Sequence, residues 1–190
     1  IIGLCGKKGC GKSTVADLIV KNFHFSKASF ATPIKDMLMA MGLTKDEIWD
    51  PELKEKKIER FGKSPREMLQ LLGTEFGREL ISSDVWVRAL EHRIKDAGKV
   101  IIDDVRFPNE AKMIHENGGV VVQIVRAGQE MGMVDTHVSE HGLDAELIDR
   151  EIKNVSCYET DLELAVNRVM EEILYYGAVQ HPESECVSGQ

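Results

Sequence analysis

Residues 6–13 read GKKGCGKS, which sets Gly6, Gly11, Lys12 and Ser13 in the spacing G-x-x-x-x-G-K-[ST]. Residue types in that order suit one task, the binding of a polyphosphate. Glycines let the backbone curl until successive N–H groups converge on an anion. A helix that starts where the curl ends adds its unpaired N–H groups and the positive end of its dipole. Lys12 would reach the β- and γ-phosphates, and the Ser13 hydroxyl would serve as a magnesium ligand. Lys7, Lys8, Gly9, Cys10 and Thr14 complete the segment expected to wrap the nucleotide, ATP. A glycine-rich turn without a ligand is the plainer alternative. Apolar IIGLC before the stretch and TVADLIV after it argue against that, because they make it a strand–turn–helix junction.

A nucleotide carried with magnesium needs a carboxylate facing Ser13. The segment VIIDDVRFPNE, residues 100–110, offers one. Its β-branched run ends at Asp103, which brings that carboxylate out at the ligand edge of a sheet, so Asp103 is the expected metal acid. Asp104 beside it is expected to orient or contact the second substrate. Two adjacent acids that only cap the loop into the next helix are the alternative. Arg106 follows at once, and a guanidinium there can hold a phosphate with two parallel bonds.

A third group lies in SPREMLQLLGTEFGRELISSDVW, residues 64–86. Arg66, Gln70, Thr74 and Arg78 recur in steps of four, so one helix face carries two guanidiniums, an amide and a hydroxyl. Gly73 and Gly77 interrupt the same helix at a cost of about 1 kcal/mol each, which implies that something approaches its backbone closely. The set fits a monophosphate pocket: arginines for phosphate, Gln70 and Thr74 for polar edges, Trp86 for apolar or stacking contact. Tight helix packing at the glycines beside a solvated charged face is the competing explanation.

These groups need a scaffold that delivers them to one edge. Strands are expected at the first five residues, within FHFSKASF, at VIID, at VVVQIVR and at REIKN. Helices are expected from Ser13 to about Asn22, and from Thr32 as N-cap with Pro33 in the first turn to Gly42. A capping box of Ser64 with Glu67 opens the next, whose apolar face would be Met68, Leu69, Leu72, Phe76 and Leu80. Further helices cover 84–97, the stretch from Pro108 to ENGG, and a last one marked by Leu162, Val166, Val169, Met170 and Ile173. Strands alternating with helices predict an α/β fold, a mostly parallel five-stranded sheet covered on both faces, with ligands at the carboxyl ends of its strands. Residues 1–177 are expected to form one domain with a helical insertion at about 27–98 and a loop at 127–142, followed by a disordered tail at 178–190.

The chain has 190 residues, 43% hydrophobic and 29% charged, with a net charge of −8, which argues against a broad nucleic-acid surface. Any polyanion site must be local. No apolar run approaches a membrane span and no signal peptide precedes the first strand, so a cytoplasmic protein that meets neither membrane nor nucleic-acid polymer is expected. The chain opens directly on strand residues, so a few N-terminal residues are expected to be missing. Cys5, Cys10, Cys157 and Cys186 show no C-x-x-C pairing, which fits reduced thiols.

GKKGCGKST, SFATPIKDML, GKSPREMLQLLGTEFGR, DVW, IIDDVRFPNEA and HVSEHGL resemble, in this order, the phage deoxynucleoside monophosphate kinases, from about residue 1 to 175. Many families share the loop; LGTEFGR together with DDVRFPNE is far more specific. The resemblance implies a three-layer P-loop kinase sandwich in which the insertion binds the acceptor and 127–142 is a short lid. It implies transfer of the ATP γ-phosphoryl group to a deoxynucleoside 5′-monophosphate with magnesium, in a homodimer, in the host cytoplasm if the chain is phage-encoded. Lys12 and Ser13 match the family's phosphate loop and Asp103 its acid strand. Arg66, Gln70, Thr74, Arg78, Trp86, Asp104 and Arg106 fall in acceptor segments, as does Lys35 in TPIKD, which is otherwise a surface lysine. Arg126 ends a strand where related kinases place an ATP-touching lid arginine, and Asn154 falls near the adenine. Lys12, Arg106 and Arg126 would then stabilise the transferring group. Residues 127–142 depart from the family by holding no arginine; His137 and His141, beside Glu140, are the residues there that can become cationic, and two histidines alone do not make a metal site. The acceptor's phosphate oxygen is already ionised at neutral pH, so no general base is assigned. Two other readings stay open: a P-loop kinase of the dephospho-coenzyme A or phosphomevalonate type, and a nucleotide-binding regulator without turnover.

Overall fold

Ile2, Leu4, Val100, Ile101, Ile102, Val120, Val121, Val122 and Ile124 are buried although they are near-continuous in sequence, which happens when a parallel sheet is covered on both faces. The computed structural model describes residues 1–126, 143–155 and 159–176. In it these runs form β1 (Ile2–Cys5), β3 (Val100–Ile102) and β4 (Val120–Arg126), accompanied by β2 (Ser26–Ala28) and β5 (Arg150–Asn154). The five strands lie in the order β2-β3-β1-β4-β5, and every neighbouring pair is parallel. The expected five-stranded α/β architecture is therefore present. The expected lid at 127–142, with His137, Glu140 and His141, and the tail at 178–190 lie outside the described residues.

The helices are α1 (Lys12–Phe23), α2 (Thr32–Ala40), α3 (Lys45–Trp49), α4 (Pro65–Leu71), α5 (Val85–Ile94), α6 (Pro108–Glu116) and α7 (Glu159–Tyr176). Alternate strand residues point to opposite faces. Leu4, Ile101, Val122 and Ile124 meet Val15 and Ile19 of α1 and Val166 and Met170 of α7 on one side. Val100, Ile102 and Val121 meet Val87 and Leu90 of α5 and Ala111, Met113 and Ile114 of α6 on the other. These are the three layers. Between β2 and β3 the chain builds a smaller core of Leu38, Ile48 and Met68 from α2, α3 and α4, with Leu43 from the segment that joins α2 to α3.

The capping box at α4 forms as its sequence requires: Glu67 N–H donates to Ser64 Oγ at 3.2 Å and Ser64 N–H to Glu67 Oε2 at 2.7 Å. Beyond Leu71 the helix widens, and Leu72–Ile81 wind as a π-helix, closed by Ser82 N–H on Gly77 O at 3.0 Å. The expected apolar face does not continue through it. Met68 is buried, whereas Phe76 is 42% and Leu80 78% exposed. After Leu72 the helix leaves the small core and its partner becomes Trp86 at the start of α5. A Cβ on Gly77 would stand 2.4 Å from the Trp86 ring, so glycine is what lets the two backbones approach. A second correction concerns Thr32, which lies inside α2 and does not cap it; the residue before the helix is Ala31. The turn there is organised by a distant carboxylate, Asp104.

Candidate active site

The register of the sheet puts the chemistry at one edge. Ala28 pairs with Ile102, so Ser29 and Asp103 emerge side by side; Arg126 pairs with Asn154 at the ends of β4 and β5. The loop 6–11 leaves β1 between them. Gly6, Gly9 and Gly11 have φ values of 132°, 78° and 106°, a region that side chains with a Cβ rarely enter. Any Cβ on Gly6 would collide with the Ile124 carbonyl at 2.4 Å. Gly11 caps α1 without a side-chain hydrogen bond, and the first turn of α1 carries no acid. The amino end of this 12-residue helix is thus left to an anion.

Cations close over the loop. Lys12 Nζ donates to Gly6 O at 2.6 Å and Lys7 O at 2.9 Å, and lies 3.8 Å from Cys10 Sγ. Arg126 donates to Gly9 O at 3.2 Å. Asn154 Nδ2 donates to Cys10 O at 3.0 Å, which makes it a clamp on the loop's backbone. Lys8 reaches Glu55 at 3.4 Å, and Glu55 meets Arg66 at the same distance, so the loop and α4 are linked through one exposed carboxylate.

The two acids have separate fates. Asp104 is fully occupied: Ser29 Oγ donates to it at 2.7 Å, Phe30 N–H at 2.9 Å and Ala31 N–H at 3.0 Å. Burial, with Asp103 beside it, pushes its carboxyl above the usual range against the pull of those bonds. Asp103 is 17% exposed at the side chain and pairs with Lys27 Nζ at 3.0 Å, which also pairs with Asp17 at 3.0 Å. Burial lowers the Lys27 ammonium, but the bonds to Asp17 and Asp103 outweigh it and the net direction is upward. Ser13 and Asp103 line the same cleft, and a hydroxyl with a carboxylate is the hard-oxygen donor set that magnesium takes. The residues present fit that ion.

One cleft of ≈ 600 Å³ joins these groups to the segment between β2 and β3. Its walls include Lys12, Ser13, Asp103, Asp104 and Arg106 on the loop side, and Lys35, Arg66, Gln70, Thr74, Arg78 and Trp86 on the other. Every acceptor-side residue expected from the sequence is brought to it. They are not equally available. Arg78 is 10% exposed at the side chain, pairs with Glu110 Oε1 at 2.5 Å, donates to Ser83 O at 2.8 Å and stacks on the Phe107 ring at 3.9 Å. Trp86 is buried and gives its N–H to Gly73 O at 2.7 Å. Lys35 stands 5.1 Å from the centre of the Trp49 ring.

Glu110, Lys27, Lys54 and Trp49 also line the cleft, and the sequence did not single them out. Glu110 is 2% exposed; burial and Asp104 push its carboxyl up to about 7, while Arg78 and the N–H groups of Arg106 and Phe107 pull it down. Its signal is its place: an acid just after Pro108 belongs to the first turn of a helix, where free N–H groups attract it. Lys27 offers a weaker signal, a lone charge within a short strand.

Three comparisons agree with this geometry. A family model described as deoxynucleotide monophosphate kinase matches residues 1–62 and 53–163. A protein of Acanthamoeba polyphaga mimivirus that bears the name deoxynucleotide monophosphate kinase is 34% identical over 189 residues, 90% of this chain and 91% of that one. The deoxynucleoside-5′-monophosphate kinase of Escherichia phage T5 is 40% identical over 98 residues, 48% of this chain and 39% of that one. Among solved structures, shikimate kinase from Bacteroides thetaiotaomicron superposes with a TM-score of 0.50 at 16% identity, over 91% of this chain and 97% of that one. At that identity the likeness is one of fold, the P-loop kinase sandwich.

Proposed function

Because the chain belongs to the deoxynucleotide monophosphate kinase family, we propose that it moves the γ-phosphoryl group of ATP onto the 5′-phosphate of a deoxynucleoside monophosphate, releasing a deoxynucleoside diphosphate and ADP. The observation that carries this reading is the shared cleft: Lys12 and Ser13 open on the same space as Arg66, Gln70 and Thr74. A donor on the loop and an acceptor on α4 would meet inside it, as an in-line transfer requires.

The loop N–H groups and the amino end of α1 hold the donor's phosphates. Among the described residues, the close oxygen partners of Lys12 are carbonyls of its own loop, so turning it onto the β- and γ-phosphates exchanges those for charged ones. Arg126, at the rim of the loop, and Arg106, in the cleft wall, add positive charge on two sides of the transferring group. Ser13 and Asp103 would hold magnesium brought in with ATP, which would supply charge neutralisation at the phosphates. Asp104 keeps the 29–31 turn in place and so sets the position of α2. Arg66 takes the acceptor phosphate; Gln70 and Thr74 meet polar edges of the nucleotide; Trp86 forms an apolar wall. The attacking phosphate oxygen carries its charge already, and no proton has to be removed. Residues 1–177 act as one catalytic unit, and a homodimer in the cytoplasm is the expected form.

The test is ADP formation from ATP and magnesium, measured with and without each deoxynucleoside monophosphate. Strict dependence on the acceptor supports the reading. ADP release that ignores every acceptor of this class overturns it.

A further inference from the structure

The chain holds two tryptophans, and the fold uses them in opposite ways. Trp86 is 6% exposed, with its N–H spent on Gly73 O and its ring pressed on Gly77. Little of it is open to the cleft that it lines. Trp49 is 48% exposed, yet it lines the same cleft as Arg66 and Gln70. We propose that Trp49 is the platform on which the base of the acceptor nucleotide stacks, an inference that rests on the monophosphate kinase reading above.

Three observations support it. The small core has no need of Trp49, because its neighbour Ile48, 2% exposed, fills the inward position of α3. The ring's backbone is fixed at both ends: Glu47 and Thr44 form a capping box before it, and Asp50 Oδ1 accepts the N–H groups of Glu52 and Leu53 at 2.8 Å after it. An indole held on a short, pinned helix and left open to a cleft is a preorganised surface. The Lys35 ammonium lies over the ring, 5.1 Å from its centre, and steadies it by cation–π attraction, so the base would take the opposite face. A nucleobase is the part of the acceptor with a flat π-face, and stacking on an aromatic side chain is the contact such a face makes. The phosphate of the same acceptor has its own partner in Arg66, which lines the same cleft.

The experiment removes the ring and the base separately. Wild type, Trp49→Ala and Trp49→Phe are compared for kcat/KM on a deoxynucleoside monophosphate and on 2-deoxyribose 5-phosphate, which lacks a base. Trp49→Ala is expected to lose about tenfold on the nucleotide, within the range of base–aromatic stacking, and nothing on the sugar phosphate. Trp49→Phe is expected to stay within about threefold of wild type on both, since a phenyl ring still stacks. Wild-type values for Trp49→Ala on the nucleotide overturn the platform. So does an equal loss on both acceptors, which would mark Trp49 as structural. A wild type that turns over no nucleotide acceptor defeats the functional reading instead. In that case fluorescence still decides: titration with a deoxynucleoside monophosphate should quench wild type more than Trp49→Phe, in which Trp86, a wall of the same cleft, is the only tryptophan left to emit. Quenching as large in Trp49→Phe as in wild type overturns the platform.

Discussion

The loop of residues 6–13 and the helix of residues 65–81 both line the cleft, but they are built by different rules. The loop is made by its own residues. Its glycines set the curl, α1 supplies the N–H groups, and Lys12 folds back on Gly6 and Lys7. The helix depends on partners far away in sequence. Arg78 is held by Glu110 and Phe107, and Gly77 exists for Trp86. A motif whose chemistry is contiguous can act as a unit; a pocket assembled across the fold spends some of its polar groups on its own support. Charged side chains in one wall can therefore do unequal work.

Lys12→Ala is the largest test of the first half. Loss of the cation that faces the transferring group should lower kcat on the order of 10³-fold, with a melting temperature close to wild type, because the hydrogen bonds of Lys12 among the described residues are to its own loop. A variant that turns over normally would break the phosphate-loop half of the comparison. Next comes the acid pair. Asp103→Asn should raise the magnesium concentration needed for half-maximal activity about tenfold or more, with little change in stability. Asp104→Asn should do the reverse, because it disturbs three bonds to residues 29–31; a loss of about 1–3 kcal/mol in denaturant unfolding is the expected size. If the two exchange signatures, the metal acid is Asp104.

A smaller effect separates the two arginines. Arg78→Lys keeps the charge but gives up the fork between Glu110 and Ser83 and the stack on Phe107, so it should lower stability by about 2 kcal/mol. Chemical denaturation reads this directly. An unaltered midpoint would mean that Arg78 is free to serve substrate and that its contacts with Glu110 and Phe107 matter little.

Much of the first half was legible in sequence because spacing alone states it: the loop, Asp103 at the end of a β-branched run, the parallel sheet implied by alternation. The Ser64–Glu67 box was legible for the same reason. Lys27, Glu110 and Trp49 were not, since each acquires its place from another element: Lys27 from Asp103, Glu110 from Arg78, Trp49 from the cleft itself. The π-helix was hidden too. Steps of four from Arg66 to Arg78 read as an ordinary α-helix, and only the approach of Trp86 to Gly73 and Gly77 shows where Phe76 and Leu80 are left outside.

The division of labour itself is tested by binding, without turnover. Wild type and Arg66→Lys are titrated calorimetrically with a non-hydrolysable ATP analogue and, separately, with a deoxynucleoside monophosphate. Arg66→Lys should weaken the monophosphate about tenfold, since an ammonium cannot make the guanidinium's paired bonds. The ATP analogue should bind within about twofold of wild type, because the exposed Glu55 carboxylate that joins Arg66 to Lys8 of the loop is a link of little weight. Equal weakening of both ligands, or of neither, would contradict the account.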